Sequence, residues 1–345
     1  MKSQCIQDGL SGCKKYHIFG YSDYIKNSLN DIIDLDNVYY YECFEGCNYK
    51  ERIIHRLFVS RYSHLFSGLI MPVWKNKYWL NRKPKKTDDI VLILYEINPL
   101  SNKIQWIRSV RNEFPNVKIV YIFTNIIDDH RMWRVNQIAS NRELFDLVLT
   151  FNKSDAEKYG MTHYEGVFSA KVINPKLIQE AEQCDVYFCG LDKGRLVFLK
   201  EIYDYLTSHG IKCIFDIIYP EDNGIEETDG FRYHKELINN DEMLANVNKA
   251  KCILEVMVDR TQPGSSLRMC ESIAYKKKLL TNNSYITEKP FFNEKQMKYF
   301  DKPEDIDIKY ILNDIDEGDY LPKDLLSPTK LLEFIEGHLD EVVQD

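Results

Sequence analysis

The chain has 345 residues, 44% of them hydrophobic and 28% charged, with 45 Lys and Arg against 53 Asp and Glu for a formal net charge of −8. At roughly 100 to 200 residues per domain this length predicts two globular domains, and the acidic balance argues against nucleic acid as a main partner, because no global positive field exists to collect a phosphate backbone. The N-terminus MKSQCIQDGLSGCKKYHIF lacks the apolar core of a signal peptide, and no stretch approaches roughly 18 uninterrupted apolar residues, so the chain reads as cytoplasmic rather than secreted or membrane-spanning.

In chain order, apolar runs of strand length fall at YHIFGY (16–21), VYYYE (38–42), DIVLILYEI (89–97), VKIVYIFT (117–124) and FDLVLTF (145–151). Segments of helical period alternate with them; in NKIQWIRSVRNEF, Ile104, Ile107, Val110 and Arg111 recur at helical spacing. That alternation is the pattern of a parallel sheet covered by helices, and it defines a first α/β domain over 1–180. Between the second and third strands, segment 49–86 holds ten Lys or Arg against Glu51 alone, with Trp74, Tyr78 and Trp79 among them. In an acidic chain this local reversal suits the anionic inner face of a membrane, with indoles at the headgroup level; a solvated basic loop or a site for an anionic soluble acceptor fits the same composition.

The stretch HYEGVFSAKVINPKLIQEAEQ (163–183) has a glycine, a proline and no clear strand, and reads as the linker. A second α/β set over 181–345 follows, with strands DVYFC (185–189), IKCIFDII (211–218) and KCILEVMV (251–258), and a weaker one at KKLLTNN (277–283). Its helices are LVFLKEIYDYLTSHG, ended by Gly210, and NNDEMLANVNKA, where Asn239 or Asn240 can cap and Glu242 lies in the acidic first turn. The nine cysteines are odd in number and several lie inside strand-like runs, which predicts reduced thiols. Cys43, Cys47 and His55 have no second cysteine pair at finger-like spacing, so no metal site is expected. His55, His64, His130 and His163 pair with no nucleophile at readable spacing and read as structural or surface residues.

Two turns carry the chemistry. In DVYFCGLDKGRLVFLKEIYDYL (185–206) an apolar run breaks at Gly190 and restarts with helical period behind Lys193, Gly194 and Arg195. Helix-opening amides, the positive end of the helix dipole and two cations then face whatever occupies the turn, which favours a diphosphate such as that of a sugar nucleotide. The second turn lies in TQPGSSLRMCESIAYKKKLLTNN (261–283), where Pro263 and Gly264 turn the chain, Ser265 or Ser266 caps a new helix, and Arg268 and Glu271 share one face. Taken singly these are a solvated turn, an N-cap and an intrahelical ion pair. Two such turns at the carboxyl ends of strands in one open sheet point instead to a nucleotide-type ligand, with a carboxylate placed to accept hydrogen bonds from ribose hydroxyls.

Gly-x-x-Lys-Gly-Arg followed by Gln-x-Gly-Ser-Ser-Leu-Arg-x-x-Glu resembles the donor domain of a GT-B glycosyltransferase, and more narrowly the bacterial enzymes of lipopolysaccharide, O-antigen and capsule synthesis. FDLVLTFNKSDAEKYG (145–160) and KKLLTNNSYITEKPFFN (277–293) are similar to segments of that group, and the resemblance spans roughly residues 88 to 307. It implies an α/β fold of two facing Rossmann-like domains with parallel sheets and a C-terminal helix, the first binding a glycan or lipid-linked acceptor and the second the donor. The donor would be a nucleotide sugar of UDP or GDP type, a substrate with no separate cofactor or metal. Gly190, Lys193, Gly194 and Arg195 would bear on the diphosphate; Gln262, Gly264, Ser265, Ser266 and Arg268 would do so from the second turn, and Glu271 would hold the ribose.

Many retaining members of this fold carry a second glutamate eight positions before the ribose-binding one, and Pro263 stands there in this chain. Inversion is the expectation, which requires a general base from the acceptor side. Candidates lie where first-domain strands end: Asp23 after YHIFGY, Glu96 in LYEIN and Asp128 after YIFTN, with Asp23 first because it follows the first strand. A catalytically silent glycosyltransferase-like subunit and a sugar-nucleotide epimerase are the alternatives.

Overall fold

The computed structural model describes residues 14–42, 49–50, 52–53, 56, 84–85, 87–171, 174–220, 224–261 and 263–341, with the side chains of Asp23 and Glu341 outside it. Most of segment 49–86, Trp74, Tyr78 and Trp79 included, and Gln262 therefore lie outside the described residues. The chain forms two compact α/β units, each built on a six-stranded, wholly parallel sheet.

The first sheet contains β1 (Lys14–Phe19), β2 (Val38–Tyr41), β3 (Asp89–Tyr95), β4 (Lys118–Phe123), β5 (Leu147–Thr150) and β6 (Thr162–His163), in the order β2-β1-β3-β4-β5-β6. Strands β3, β4 and β5 are buried along nearly their whole length, as a parallel sheet covered on both faces requires. The Ile104–Glu113 helix buries Trp106, Ile107 and Val110 against this sheet, each contributing roughly 1.5 to 3 kcal/mol by leaving water. The Lys153–Tyr159 helix is opened by Asn152, whose side chain accepts the Asp155 N–H at 3.0 Å, and is closed by Gly160 at φ 63°.

The C-terminal helix Pro328–Glu341 belongs to this first unit: it buries Leu332 and Ile335, Tyr16 donates its hydroxyl to Glu336, and Lys14 pairs with Asp340 at 3.3 Å. The unit boundary falls between Glu165 and Gly166 rather than at 180/181, and the chain from Pro328 onward leaves the second unit. Residues after Gly166 join the second unit because Phe168 hydrogen-bonds the Leu326 carbonyl at 2.8 Å and packs edge-on against Tyr275.

The second sheet runs β12 (Met297–Tyr299), β11 (Lys278–Thr281), β10 (Cys252–Glu255), β7 (Val186–Leu191), β8 (Cys213–Ile218), β9 (Phe231–His234). Counted within the unit this is the 3-2-1-4-5-6 order of a Rossmann fold, whose order reverses between β7 and β10. Alternation of side chains divides its faces. Val186, Phe188, Phe215, Ile217, Leu254, Val256 and Leu280 form an apolar face packed with Leu196, Leu199, Ile202 and Leu206 of the Leu196–Ser208 helix. The opposite face carries Thr281, Glu255, Cys189 and Asp216 in one row near the carboxyl edge: Glu255 aligns with Thr281, Cys189 with Asp216, and the β10–β7 register carried two residues on sets Glu255 beside Cys189.

Cys184, Cys189, Cys213 and Cys252 are free, and they and Cys270 are buried. Burial pushes the thiol of Cys189 up to about 11 and that of Cys252 up to about 12, which keeps them inert. Among the described residues no helix is long and apolar enough to cross a membrane.

Candidate functional site

The carboxyl ends of β7 and β10 are where an open parallel sheet of this order accepts a ligand, because the chain leaves the two strands in opposite directions and opens a crevice. Both turns picked out by sequence lie there. After β7 the backbone passes through Lys193 at φ 50° and Gly194 at φ 77°, two successive left-handed residues that swing the chain into the Leu196–Ser208 helix. Lys193 is exposed at the mouth of the turn. The first-turn amides of that helix have no carbonyl one turn back to meet, so they and Lys193 are the donors available to an anion.

Arg195 is not free for that role. Its Nη1 donates to the Val256 carbonyl, its Nη2 to the Leu191 carbonyl at 2.8 Å, and its guanidinium lies 5.2 Å above the Phe188 ring. It ties β7 to β10 beneath the crevice. Gly190 makes room for it: a Cβ there would come within 2.9 Å of Arg195 Nη2. Asp192, which sequence reasoning passed over, fixes the turn from below, buried and accepting the Arg195 N–H at 3.1 Å.

In the second turn Gly264 and Ser265 are buried, and Ser266 caps the Leu267–Ala274 helix by accepting the Met269 N–H at 3.1 Å. Lys289 holds the approach by donating to the Pro263 carbonyl at 2.8 Å. Arg268 is again committed: it pairs with Glu271, donates to the Cys189 carbonyl at 3.2 Å and touches the Met243 sulfur at 2.9 Å. Burial works against its charge, but Glu271 outweighs that and raises its pKa. Glu271 is 1% exposed, and while its Oε2 takes Arg268, its Oε1 has no hydrogen-bond partner among the described residues. An acceptor left buried and unpaired costs about 1 to 3 kcal/mol, a cost that a hydroxyl donor from a ligand would remove.

Glu255, also missed by sequence reasoning, lies in the same shell. Thr281 donates to its Oε2 at 2.6 Å, and its Oε1 is likewise buried without a partner among the described residues. Burial raises its pKa, opposed by the hydroxyls of Ser266 and Thr281 and the charges of Arg268 and Arg195. A lone carboxylate inside the apolar run KCILEVMV was the available signal.

In the first unit the order reverses between β1 and β3, and the candidate bases lie around those strand ends. Asp23 opens the Asp23–Ser28 helix directly after β1; its side chain is outside the described residues. Glu96 follows β3, 1% exposed and saturated: it accepts from Thr124 N at 3.2 Å and Asn125 Nδ2 at 3.0 Å, and pairs with Arg131 at 3.3 Å and Arg134 at 3.4 Å. A carboxylate neutralised twice and shut from solvent has the arrangement of a loop anchor. Asp128 is exposed but caps Arg131, accepting its N–H at 3.1 Å and pairing with its guanidinium at 2.6 Å. Slight desolvation notwithstanding, that cation holds the Asp128 carboxyl below its ordinary range, the wrong direction for a base.

Two Rossmann-like units with wholly parallel sheets define the GT-B class of fold. Known structures agree over nearly the full chain. A protein of Anabaena, HepE, solved with UDP and glucose, superposes with a TM-score of 0.51 at 10% identity, covering 95% of this chain and 99% of its own. A glycosyltransferase from Rickettsia africae gives 0.50 at 12% identity, covering 94% and 99%. At such identity the agreement is one of fold. No protein-family profile matches the chain, and no curated protein sequence matches it.

Proposed function

We propose that the chain is a glycosyltransferase that takes a sugar from a nucleotide-sugar donor and passes it, with inversion, to a glycan or lipid-linked acceptor of a cell-surface polysaccharide. The observation that carries this reading is Glu271: a buried carboxylate with one oxygen held by Arg268 and the other unpaired, at the switch point of a Rossmann-like unit whose neighbouring turn offers Lys193 and free helix amides. In this reading Glu271 accepts from the ribose hydroxyls, and Lys193 with the first-turn amides of the Leu196–Ser208 helix takes the diphosphate. Arg195 and Arg268 act one layer back, holding strands and carboxylate in place. The same donors stabilise the departing diphosphate as the glycosidic bond breaks, where developing charge makes them worth most.

Inversion asks for a base on the acceptor side. With Glu96 and Asp128 occupied by arginines, Asp23 is the carboxylate to which we assign that step. The basic segment 49–86 supports a lipid-linked acceptor at an anionic cytoplasmic membrane surface. Incubation with nucleotide sugars and bacterial lipid-linked or soluble glycans tests the reading: nucleoside diphosphate release that requires acceptor, with the product's anomeric configuration opposite to the donor's, is expected. Nucleotide binding without turnover would leave a silent binding subunit, and conversion of the donor without acceptor would make the chain an epimerase.

A further inference from the structure

Asp216 is 3% exposed on β8, a polar side chain inside the sheet. Both of its oxygens are used: Tyr187 donates its hydroxyl to Oδ2 at 3.0 Å, and His234 Nε2 meets Oδ1 at 2.9 Å. A carboxylate accepting on both oxygens requires a proton on His234 Nε2, and in the neutral imidazole that leaves Nδ1 an acceptor. A third of the His234 side chain is exposed, so the ring can be reached from solvent.

His234 ends β9 in register with Ile218, which is in register with Leu191, the last residue of β7 before the Lys193 turn. It therefore stands level with the start of that turn, two strand spacings or about 10 Å away. This is the reach of a nucleoside diphosphate from phosphate to base. Next to His234, Tyr219 follows β8, donates its N–H to the His234 carbonyl at 2.9 Å, holds φ 53° and leaves half its surface exposed. A left-handed tyrosine costs roughly 1 to 2 kcal/mol, and here that cost is met where the half-exposed Tyr219 is joined through its backbone to His234. The network also runs back to the donor site: Asn246 meets Tyr187 at 3.4 Å, and Met243, on the same Asn240–Lys249 helix, touches Arg268.

We propose that His234, oriented by Asp216 and flanked by Tyr219, reads the base of the donor nucleotide. Tyr219 supplies a stacking face, and His234 Nδ1 accepts a hydrogen bond from a ring N–H. The site thus selects uracil, thymine or guanine, which carry a ring N–H on the pairing edge, over cytosine and adenine, whose ring nitrogen there is itself an acceptor. This rests on the nucleotide-sugar reading above.

Calorimetric affinities for UDP, dTDP, GDP, CDP and ADP, compared among wild type, His234→Ala, Asp216→Asn and Lys193→Ala, test it. His234→Ala is expected to weaken the preferred nucleotide roughly three- to tenfold, one hydrogen bond's worth, and to leave CDP and ADP unchanged. Asp216→Asn would donate to Nε2 and move the proton to Nδ1, so that affinity falls for the preferred base and rises for CDP or ADP, an inversion that loss of packing cannot produce. Lys193→Ala would weaken all five alike. Unaltered base preference in His234→Ala, or an equal loss for every base, overturns the assignment while nucleotide binding itself stands. Absence of binding by wild type to all five overturns both. Melting curves show whether Asp216→Asn is folded; His234→Ala, at a partly exposed position, discriminates between the outcomes without it.

Discussion

Arg195 leaves the turn after β7 and donates to the carbonyl of Val256, just beyond β10, so one guanidinium spans the crevice where the strand order of the second sheet reverses. The first unit repeats the device with different chemistry. Asn98, past β3, donates to the carbonyl of Gly20, past β1, and a Cβ at Gly20 would fall on the Tyr40 hydroxyl. Two central strands that part company at their carboxyl ends are thereby stitched before any ligand arrives, which lowers the ordering cost of binding.

Removing the stitch should cost stability. Arg195→Ala loses two hydrogen bonds from a charged donor, and about 2 to 4 kcal/mol is expected. Gly190→Ala, which drives a Cβ against Arg195 and Phe188, should cost about 1 to 3 kcal/mol through overpacking. Urea unfolding checks both; a wild-type midpoint for Arg195→Ala would show that the bridge contributes nothing.

Glu255 gives a pH signature. Its folded pKa lies above the unfolded value, so its contribution to stability is fully present below the unfolded pKa of about 4.5 and is lost as pH rises through the folded one. Glu255→Gln should therefore be more stable than wild type at pH 8, by roughly 1 kcal/mol, with the gap closing as pH falls towards 4.5. Melting temperatures at several pH values decide; a variant whose destabilisation grows as pH rises would mean that the ionised carboxylate is favourable where it is.

Glu96 and Asp23 should separate cleanly. Glu96→Ala strands Arg134, leaves Arg131 with Asp128 alone and leaves the Thr124 N–H unmet, so melting should fall, with a loss of about 3 kcal/mol. Asp23→Asn should leave melting unchanged and reduce turnover at least a hundredfold. The reverse pattern would return the base to Glu96.

Charge removal at Lys83, Lys85 and Lys86 should weaken binding to vesicles of anionic phospholipid, with most of the difference gone in high salt. Unchanged sedimentation with the vesicles would leave segment 49–86 a solvated loop.

The central strands of both sheets were legible because each is an apolar run long enough to cross a buried parallel sheet. The edges were not. β9 reads FRYH, β12 MKY and β6 TH; these are too short or too polar to announce a strand and are formed by pairing with a neighbour. The return of the Pro328–Glu341 helix to the first unit depends on contacts such as Tyr16 with Glu336, more than 300 residues apart, which no local pattern encodes. Lys278, within a KKK run, is 2% exposed, and its ammonium donates to the carbonyls of Tyr310, Ile311 and Asn313 at 2.8, 2.6 and 2.7 Å. The two turns of the candidate site were visible from their glycines, serines and charges. The division of labour inside them was not, because a guanidinium that binds phosphate and one that braces two strands look alike in sequence. Glu255 and Asp216 were missed, although each stands as a single acid in an apolar strand, a pattern that burial alone does not favour.

Melting temperature against UDP, GDP, CMP and dTDP and their common sugars, for wild type beside Glu271→Gln, tests the central claim most directly. A nucleotide at a hundred times its dissociation constant adds about 2.7 kcal/mol to the folded state. Wild type should rise by several degrees with one base class, and Glu271→Gln, which keeps the shape but replaces an acceptor oxygen with a donor, should lose most of that rise. No rise with any nucleotide, or the same rise in both proteins, would contradict the account.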